Sequence, residues 1–425
     1  EEAQPMKKLF LIPVILTVGL GLTLSFQPGL FPSMLTGGQS VYAQGSADSK
    51  FWVFDGHMHP VSSVYSRGGT IGTPNSDPRF TLPLAEKGGL GAGFFNTSID
   101  EFYEANHIAV KDALRQFDRF YSEIAKYPDQ VGVATTAQEV RALRRQGKLA
   151  AILAIEGALA LESDLGVLRM FHRLGLREMN LVHLLGNDIG DVMHSSQNNG
   201  KGYGLTDYGR ELVAEMNRLG ILIDLSHTAE QTVLDVMEVS TQPVVTTHSG
   251  ARALMYSPTL PNWSDEMIRK LASLRGVICV PFLPMIVNQE YQDKFHRGRI
   301  RGSGLMGLEP LVYRGDPTTI YDFIQERRNR GQSNRGTMAE ERQQSLPPLS
   351  ALIDHIDYIV RLVGADYVAI SSDFGGYPVN LTGIENAGEY QNIAQALLGR
   401  GYSAEDVAKI MGENLLRVFE EVVRN

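Results

Sequence analysis

Apolar runs of strand length recur along this chain, and six of the polar residues that end them are histidines or carboxylates. The candidate strands are Trp52–Asp55, Leu90–Phe95, Ala151–Ile155, Glu178–Val182, Ile221–Leu225, Pro243–Thr247, Val277–Pro281 and Tyr367–Ser371. Several are continuously apolar rather than alternating, which suits a parallel sheet covered on both faces. Helical patterns lie between them, at Glu104–Tyr127, Ala137–Gln146, Gly166–Leu174, Thr206–Arg218, Ala229–Ser240, Asp265–Leu274 and Leu349–Leu362. Eight strands with intervening helices predict an α/β fold of the closed (β/α)8, TIM-like class. Val131–Thr135 is an extra short strand, expected as a side ladder. Residues 44–425 are expected to form a single barrel domain, interrupted by a polar, basic insertion at about 288–348. The insertion reads either as a solvated surface loop or as a lid or an edge of the substrate mouth. Tyr402 to Val423 reads as a terminal helical region that Ser403 can cap.

The N-terminus has a different character. Met6-Lys7-Lys8 is followed by an apolar stretch from Leu9 to Phe26, and Val41-Tyr42-Ala43 offers small residues before Gln44. That order is expected of a secretory signal peptide over residues 1–43; an uncleaved anchor is the alternative. The protein is therefore expected to be exported, periplasmic or extracellular, with membrane association through this segment in the second case. The lone Cys279 lies in an apolar run and is expected to be buried rather than bridged. A net charge of -9, from 39 Lys+Arg against 48 Asp+Glu, argues against a broad nucleic-acid face.

The chemistry gathers at the strand ends, where barrel enzymes place it. His57 and His59 stand two apart beyond the first strand, so in extended backbone both imidazoles point one way. Glu156, His183, His227, His248 and Asp373 each close another strand. A single one of these reads as a salt bridge or a satisfied core histidine. Six positions on one rim read as a metal site. Imidazole and carboxylate donors without a thiol fit zinc. Two divalent ions sharing a carboxylate could hold a bridging hydroxide against a polarised carbonyl. Asp373 is then the proton carrier and His183 a donor to the developing oxyanion. Asp224 and Asp55 are candidate acceptors for the second nitrogens of ligating imidazoles, and Asp224 reads equally as a buried structural acid. His355, inside a helical pattern, reads as a packed or hydrogen-bonded residue. His194, in a loop, could touch substrate.

Taken together and in order, these segments resemble the membrane dipeptidase (renal dipeptidase) family of zinc peptidases within the amidohydrolase-like hydrolases. The likeness is carried by Asp55-Gly56-His57, Glu156-Gly157, Val182-His183, Ile223 to His227, Pro243 to Ser249 with Ala251-Arg252-Ala253-Leu254, Asp354 to Tyr358, Ser372-Asp373-Phe374 and Gly412 to Phe419. It spans Phe54 to Val423. The resemblance implies two zinc ions: one held by His57, the residue at 59 and Glu156, the other by Glu156, His227 and His248. It implies catalytic roles for His183 and Asp373, hydrolysis of dipeptides (L-D dipeptides included) and a homodimer.

Three positions depart from the family pattern. His59 stands where an aspartate is common, Thr259 where an arginine usually holds the substrate carboxylate, and Gly375 where an aspartate is common, a change expected to loosen the support of Asp373. Threonine supplies neither the charge nor the fork of arginine, so Arg252 or arginines of the insertion would have to compensate. Three functions follow as expectations. The first is a zinc-dependent dipeptidase. The second is a hydrolase of another small amide, ester or lactone. The third is a metal-dependent binding protein without turnover.

Overall fold

The computed structural model describes residues 50–423 apart from 75–76, 100–107, 185, 194–201, 257–261 and 296–334. Its strands are β1 (Val53–Met58), β2 (Leu90–Ser98), β3 (Val131–Val133), β4 (Leu149–Glu156), β5 (Glu178–Asn180), β6 (Leu222–Asp224), β7 (Val245–Thr246), β8 (Val277–Pro281) and β9 (Val368–Ser371). Eight of them run in the order β1-β2-β4-β5-β6-β7-β8-β9, all parallel. β3 pairs with the start of β4 alone, Val131 beside Leu149, and is the expected side ladder. The ring closes between β9 and β1. Asp373 N–H donates to the His57 carbonyl at 2.8 Å, and His59 N–H to that of Phe374 at 2.7 Å. The fold is the (β/α)8 barrel that the strand and helix pattern predicts.

Local signals set the helices. Thr136 and Glu139 form a reciprocal capping box at the start of Ala137–Arg145, and Thr206 caps Asp207–Leu219. Ser403 accepts from Asp406 N–H at 3.1 Å, as its position predicts. Helices Pro60–Arg67, Leu82–Gly88 and Tyr390–Gly399 were not read from the periodicity. The first two are about two turns long, too short for a strong repeat. Helices Gln289–Phe295 and Arg335–Gln344 flank residues 296–334, which lie outside the described residues. So do residues 1–49, which hold the signal-peptide expectation. Among the described residues, no helix is long and apolar enough to cross a membrane.

β6 and β7 are shorter than their apolar runs for one reason. β7 ends at Thr246 because the next two amides turn to side chains: Thr247 N–H to Asp224 Oδ1 (2.9 Å) and His248 N–H to Ser226 Oγ (3.1 Å). β6 ends at Asp224, whose own Oδ1 takes the Ser226 amide at 2.9 Å. The ladders stop where the polar rim begins.

Alternation along the strands splits the core into two layers. Phe54, Phe94, Ile152, Ala154, Leu222, Val245, Val277 and Cys279 pack together with Leu415, Leu416 and Phe419 of the helix Asn414–Val422. Their neighbours Val53, Leu153, Ile155, Met179, Ile223, Val280 and Ile370 pack with residues of the surrounding helices. The terminal helix thus plugs the barrel below the strand ends. Phe419 meets Phe94 at 5.9 Å and Phe54 at 6.4 Å between ring centroids, and is fully buried. Phe419→Ala is expected to cost about 3–5 kcal/mol of stability, read as a lowered urea midpoint at unchanged slope. A loss within about 0.5 kcal/mol, the range of surface substitutions, would show that the plug is not part of the core.

Candidate metal centre

Every described histidine and carboxylate expected at the rim arrives in one place. Glu156, at the end of β4, is the hub. Its Oε1 lies 3.3 Å from His57 Nε2, 3.2 Å from His227 Nε2 and 3.8 Å from His248 Nε2. Its Oε2 lies 3.4 Å from His59 Nε2 and 3.5 Å from His183 Nε2. Asp373 Oδ1 stands 3.5 Å from His59 Nε2. His57 and His59 Nε2 are 3.0 Å apart, and those of His227 and His248 are 2.7 Å apart.

Two donor sets share the hub: His57, His59 and Glu156, and Glu156, His227 and His248. Either could hold a metal ion. The donor chemistry fits zinc, whose bonds to imidazole nitrogen of about 2.0–2.1 Å bring ligand atoms to separations of this order. The outer shell agrees. Thr247 Oγ1 gives its single proton to Asp224 Oδ2. It can then only accept from His57 Nδ1 at 3.0 Å and His248 Nδ1 at 3.2 Å. Each ring thus carries its proton on Nδ1 and turns Nε2 to the shared carboxylate, where a cation could bind once His57 has given up its second proton. The third grouping, His57, Asp224 and His248, is this relay seen from its acid.

Charge in the cluster follows from crowding. Burial opposes ionising Glu156, but His183 and His57 outweigh it and hold the carboxyl well below its usual range. Burial pushes His57 down, yet Glu156, Asp373 and Asp224 together lift it to about 9. His59 is pushed down to about 4 and His183 to about 3 by burial, against the pull of Glu156. His248 is also driven down, by burial and then by His57 and His227. One carboxylate is thus balanced by one imidazolium while buried neighbours keep neutral lone pairs. A bound cation would take over that positive charge and release the proton. Burial raises Asp373 to about 7; Glu156 adds to the rise and His57 opposes it.

The backbone here is unusual. His227 (φ 63°) and Asp373 (φ 54°) lie in the left-handed region, as do only three other non-glycine residues among those described. Each such position costs of order 1–3 kcal/mol and persists where surroundings over-determine it. Gly375, also left-handed at φ 98°, lies so close that a side chain would come 2.6 Å from the His59 carbonyl. One at Gly376 would strike the Asp373 carboxylate and the His59 ring. The glycine at 375 therefore belongs to a tight turn and does not loosen the support of Asp373.

Other expectations resolve individually. Asp55 does not reach an imidazole; its Oδ1 takes the amides of His57 and Ser372, each at 3.0 Å, pinning the two strand ends together. Asp224 reaches the imidazoles only through Thr247, which sequence reasoning missed. Its signal was a hydroxyl next to His248 on the same strand end. Asn96, on β2 and 3.1 Å from His57 Nδ1, was missed too. His355 is buried and accepts from Ala251 N–H at 2.9 Å, the packed role expected. Arg252 is committed to Glu230 (2.6 Å) and the Asn262 carbonyl (3.0 Å), so its fork is not free to replace the arginine missing at 259. Thr259 and His194 lie outside the described residues. Cys279 is buried and unbridged.

The chain matches the family described as membrane dipeptidase (Peptidase family M19) over residues 47–425. It belongs to that family. Among curated relatives, dipeptidase tcpJ of Claviceps purpurea is 30% identical over 343 residues, covering 79% of this chain and 67% of that protein. Dipeptidase aclJ of Aspergillus oryzae is 27% identical over 348 residues, covering 80% and 69%. Among solved structures, the probable dipeptidase PvdM of Pseudomonas aeruginosa superposes with a TM-score of 0.68 at 26% identity, covering 88% of this chain and 95% of that one. A Rhodobacter sphaeroides metallo peptidase, liganded with a phosphinate mimic of L-Ala-D-Ala, shares the fold at 24% identity and a TM-score of 0.67, covering 88% and 100%. This membrane dipeptidase family member, with two donor sets on one barrel rim, is a metal-dependent dipeptidase or related amidohydrolase.

A second acid lies deeper in the barrel. Glu178 is fully buried, neither of its oxygens has a hydrogen-bond partner, and neighbouring Asn180 is equally unsatisfied. Burial, then Asp224 and Glu156, raise its carboxyl well above the usual range. The folded state therefore holds a proton that the unfolded chain releases above about pH 4.5, and stability drains away as pH rises past that point. Glu178→Gln, which copies the neutral acid, is expected to gain on the parent as pH rises from about 5 to 8. The check is the difference in Tm at equal metal content; a difference that stays flat or shrinks would mean that Glu178 is ionised in the fold.

Proposed function

We propose that the protein hydrolyses dipeptides, L-D dipeptides included, at a two-zinc centre held by His57, His59, Glu156, His227 and His248. The observation that carries this reading is the single carboxylate of Glu156 set between two histidine pairs whose Nε2 atoms converge on it. Two divalent cations there would supply Lewis acidity toward a carbonyl and acidify a water.

The chain's own residues supply the rest. Asp373, beside His59, accepts the proton of the attacking water and passes one to the leaving nitrogen. Burial raises the carboxyl's proton affinity, the direction that both tasks need. His183, partly exposed and 3.5 Å from Glu156 Oε2, donates to the oxygen that becomes negative. Thr247 and Asp224 hold the two inner rings in one tautomer throughout.

A second reading keeps the chemistry and changes the substrate. Arg252 is spent on Glu230 and threonine occupies 259, which favours a small amide, ester or lactone without a free carboxylate. A panel of L-L, L-D and N- or C-blocked dipeptides beside simple lactones, with metal content measured on the same sample, separates the two. Cleavage of free dipeptides at the highest kcat/KM supports the first. Preference for C-blocked substrates or lactones supports the second, and two bound metals without turnover would remove both.

Residues 1–43 are proposed as an export signal or N-terminal anchor ahead of one barrel domain over 44–425, with the 288–348 insertion at its rim. N-terminal sequencing of the exported protein distinguishes cleavage from anchoring. A homodimer is proposed from the family likeness, and light scattering tests it.

A further inference from the structure

The left-handed turn that carries Asp373 contains two consecutive glycines, Gly375 and Gly376. Such a turn has many backbone alternatives, so its one conformation must be imposed from outside. One restraint is barrel closure, through Asp373 N–H to the His57 carbonyl at 2.8 Å. Exposed Arg67 adds a second, its Nη2 donating to the Gly375 carbonyl at 3.2 Å. A third comes from Arg79, which precedes the helix Leu82–Gly88 and meets the turn 301 residues away in sequence.

Arg79 is a divided fork. Nε and Nη2 bind the two oxygens of Asp77 at 2.9 and 2.7 Å. That pair sets the plane of the guanidinium and leaves Nη1 facing the turn. Nη1 donates to the Tyr377 carbonyl and, at 3.1 Å, to Asn380 Oδ1. Buried Asn380 carries the link onward, its Nδ2 donating to the Ser372 carbonyl at 3.1 Å. Within the turn, the amides of Gly376 and Tyr377 donate to the Asp373 carbonyl at 3.1 and 3.4 Å. One arginine nitrogen thus ties the peptide before Asp373 to the residue four beyond it. Lysine cannot reproduce this, because it lacks the second arm that Asp77 holds.

We propose that Arg79, acting through Asn380 and the Tyr377 carbonyl, is a positioning residue that holds Asp373 at the distance from His59 needed for proton transfer. The proposal rests on the reading of Asp373 as the proton carrier.

The test uses the full metal-loaded enzyme, with Arg79→Lys, Asn380→Ala and Arg79→Ala beside Asp373→Asn. A misplacement of about 1 Å costs about 100-fold in rate. Arg79→Lys and Asn380→Ala are therefore expected to lower kcat by about 10- to 100-fold, with KM and metal content near the parent's. Free guanidinium is expected to restore part of the kcat of Arg79→Ala. Parent kcat in either of the first two variants overturns the clamp, as does a loss of kcat only in proportion to metal content or folded fraction. If Arg79→Lys does not fold, Asn380→Ala decides alone. Should Asp373→Asn itself turn over like the parent, the reading of Asp373 fails. Should it be slow while the clamp variants are fast, only the role of Arg79 fails.

Discussion

Asp373→Asn is expected to keep the full metal content and lose about 10²- to 10⁴-fold in kcat, the range that a positioned acid–base group contributes. The substitution is unusually clean here. Asparagine tolerates the left-handed backbone that residue 373 adopts, at φ 54°, better than most residues do. It also matches the carboxylate in size, which matters where Gly376 leaves no spare room. What it removes is the ability to take a proton at Oδ1. Metal analysis and steady-state kinetics on one preparation check the outcome. Turnover equal to the parent's would remove Asp373 from the reaction, and a parallel loss of metal would recast it as a ligand.

Glu156→Gln is expected to have the largest effect of any single change. The carboxylate faces five imidazoles, at 3.2–3.8 Å, and is the member common to both donor sets. An amide of the same shape carries no charge and binds a cation through one weaker oxygen. Substitutions that only support a ligand cost about 10- to 100-fold in metal affinity, so loss of a shared ligand should exceed about 100-fold. The imidazoles also lose the anion that most of them share, so fewer of them can stay charged as pH falls. Titration with zinc, followed by competition with a chelator, measures the affinity. Two tightly bound ions in Glu156→Gln would mean that the donor sets do not share this residue.

Much of this site could be read in advance because each residue stood at a place with a meaning. A carboxylate after the apolar run Ala151–Ile155, as at Glu156, is costly unless something pairs it. His57 and His59 share a face because extended backbone repeats every two residues. Parallel ladders then bring the ends of β4, β6 and β7 to a common level. The outer shell was less legible. Asp55 and Asp224 were both expected to accept from imidazoles. Asp55 holds backbone amides instead, and Asp224 works through the Thr247 hydroxyl. A serine, threonine or aspartate beside a ligand has several partners within reach, and only packing selects among them. Gly375 taught the same lesson. Read against the usual aspartate it looks like lost support, whereas its positive φ and its nearness to the His59 carbonyl show a turn that needs glycine.

The order of amino acids alone determined the barrel class, the strand ends that matter and the kind of donor each supplies, since these follow from hydrophobic periodicity and from chemistry carried by single residues. Tertiary structure alone decided that Asp224 reaches the imidazoles through Thr247, that Arg252 is already engaged, and that Arg79 and Asn380 brace the turn of Asp373 from far along the chain. The physical reason is distance. Periodicity reports which face of an element is buried, but hydrogen bonds and ion pairs between elements exist only once the barrel has closed and fixed which side chains stand within about 3 Å of each other.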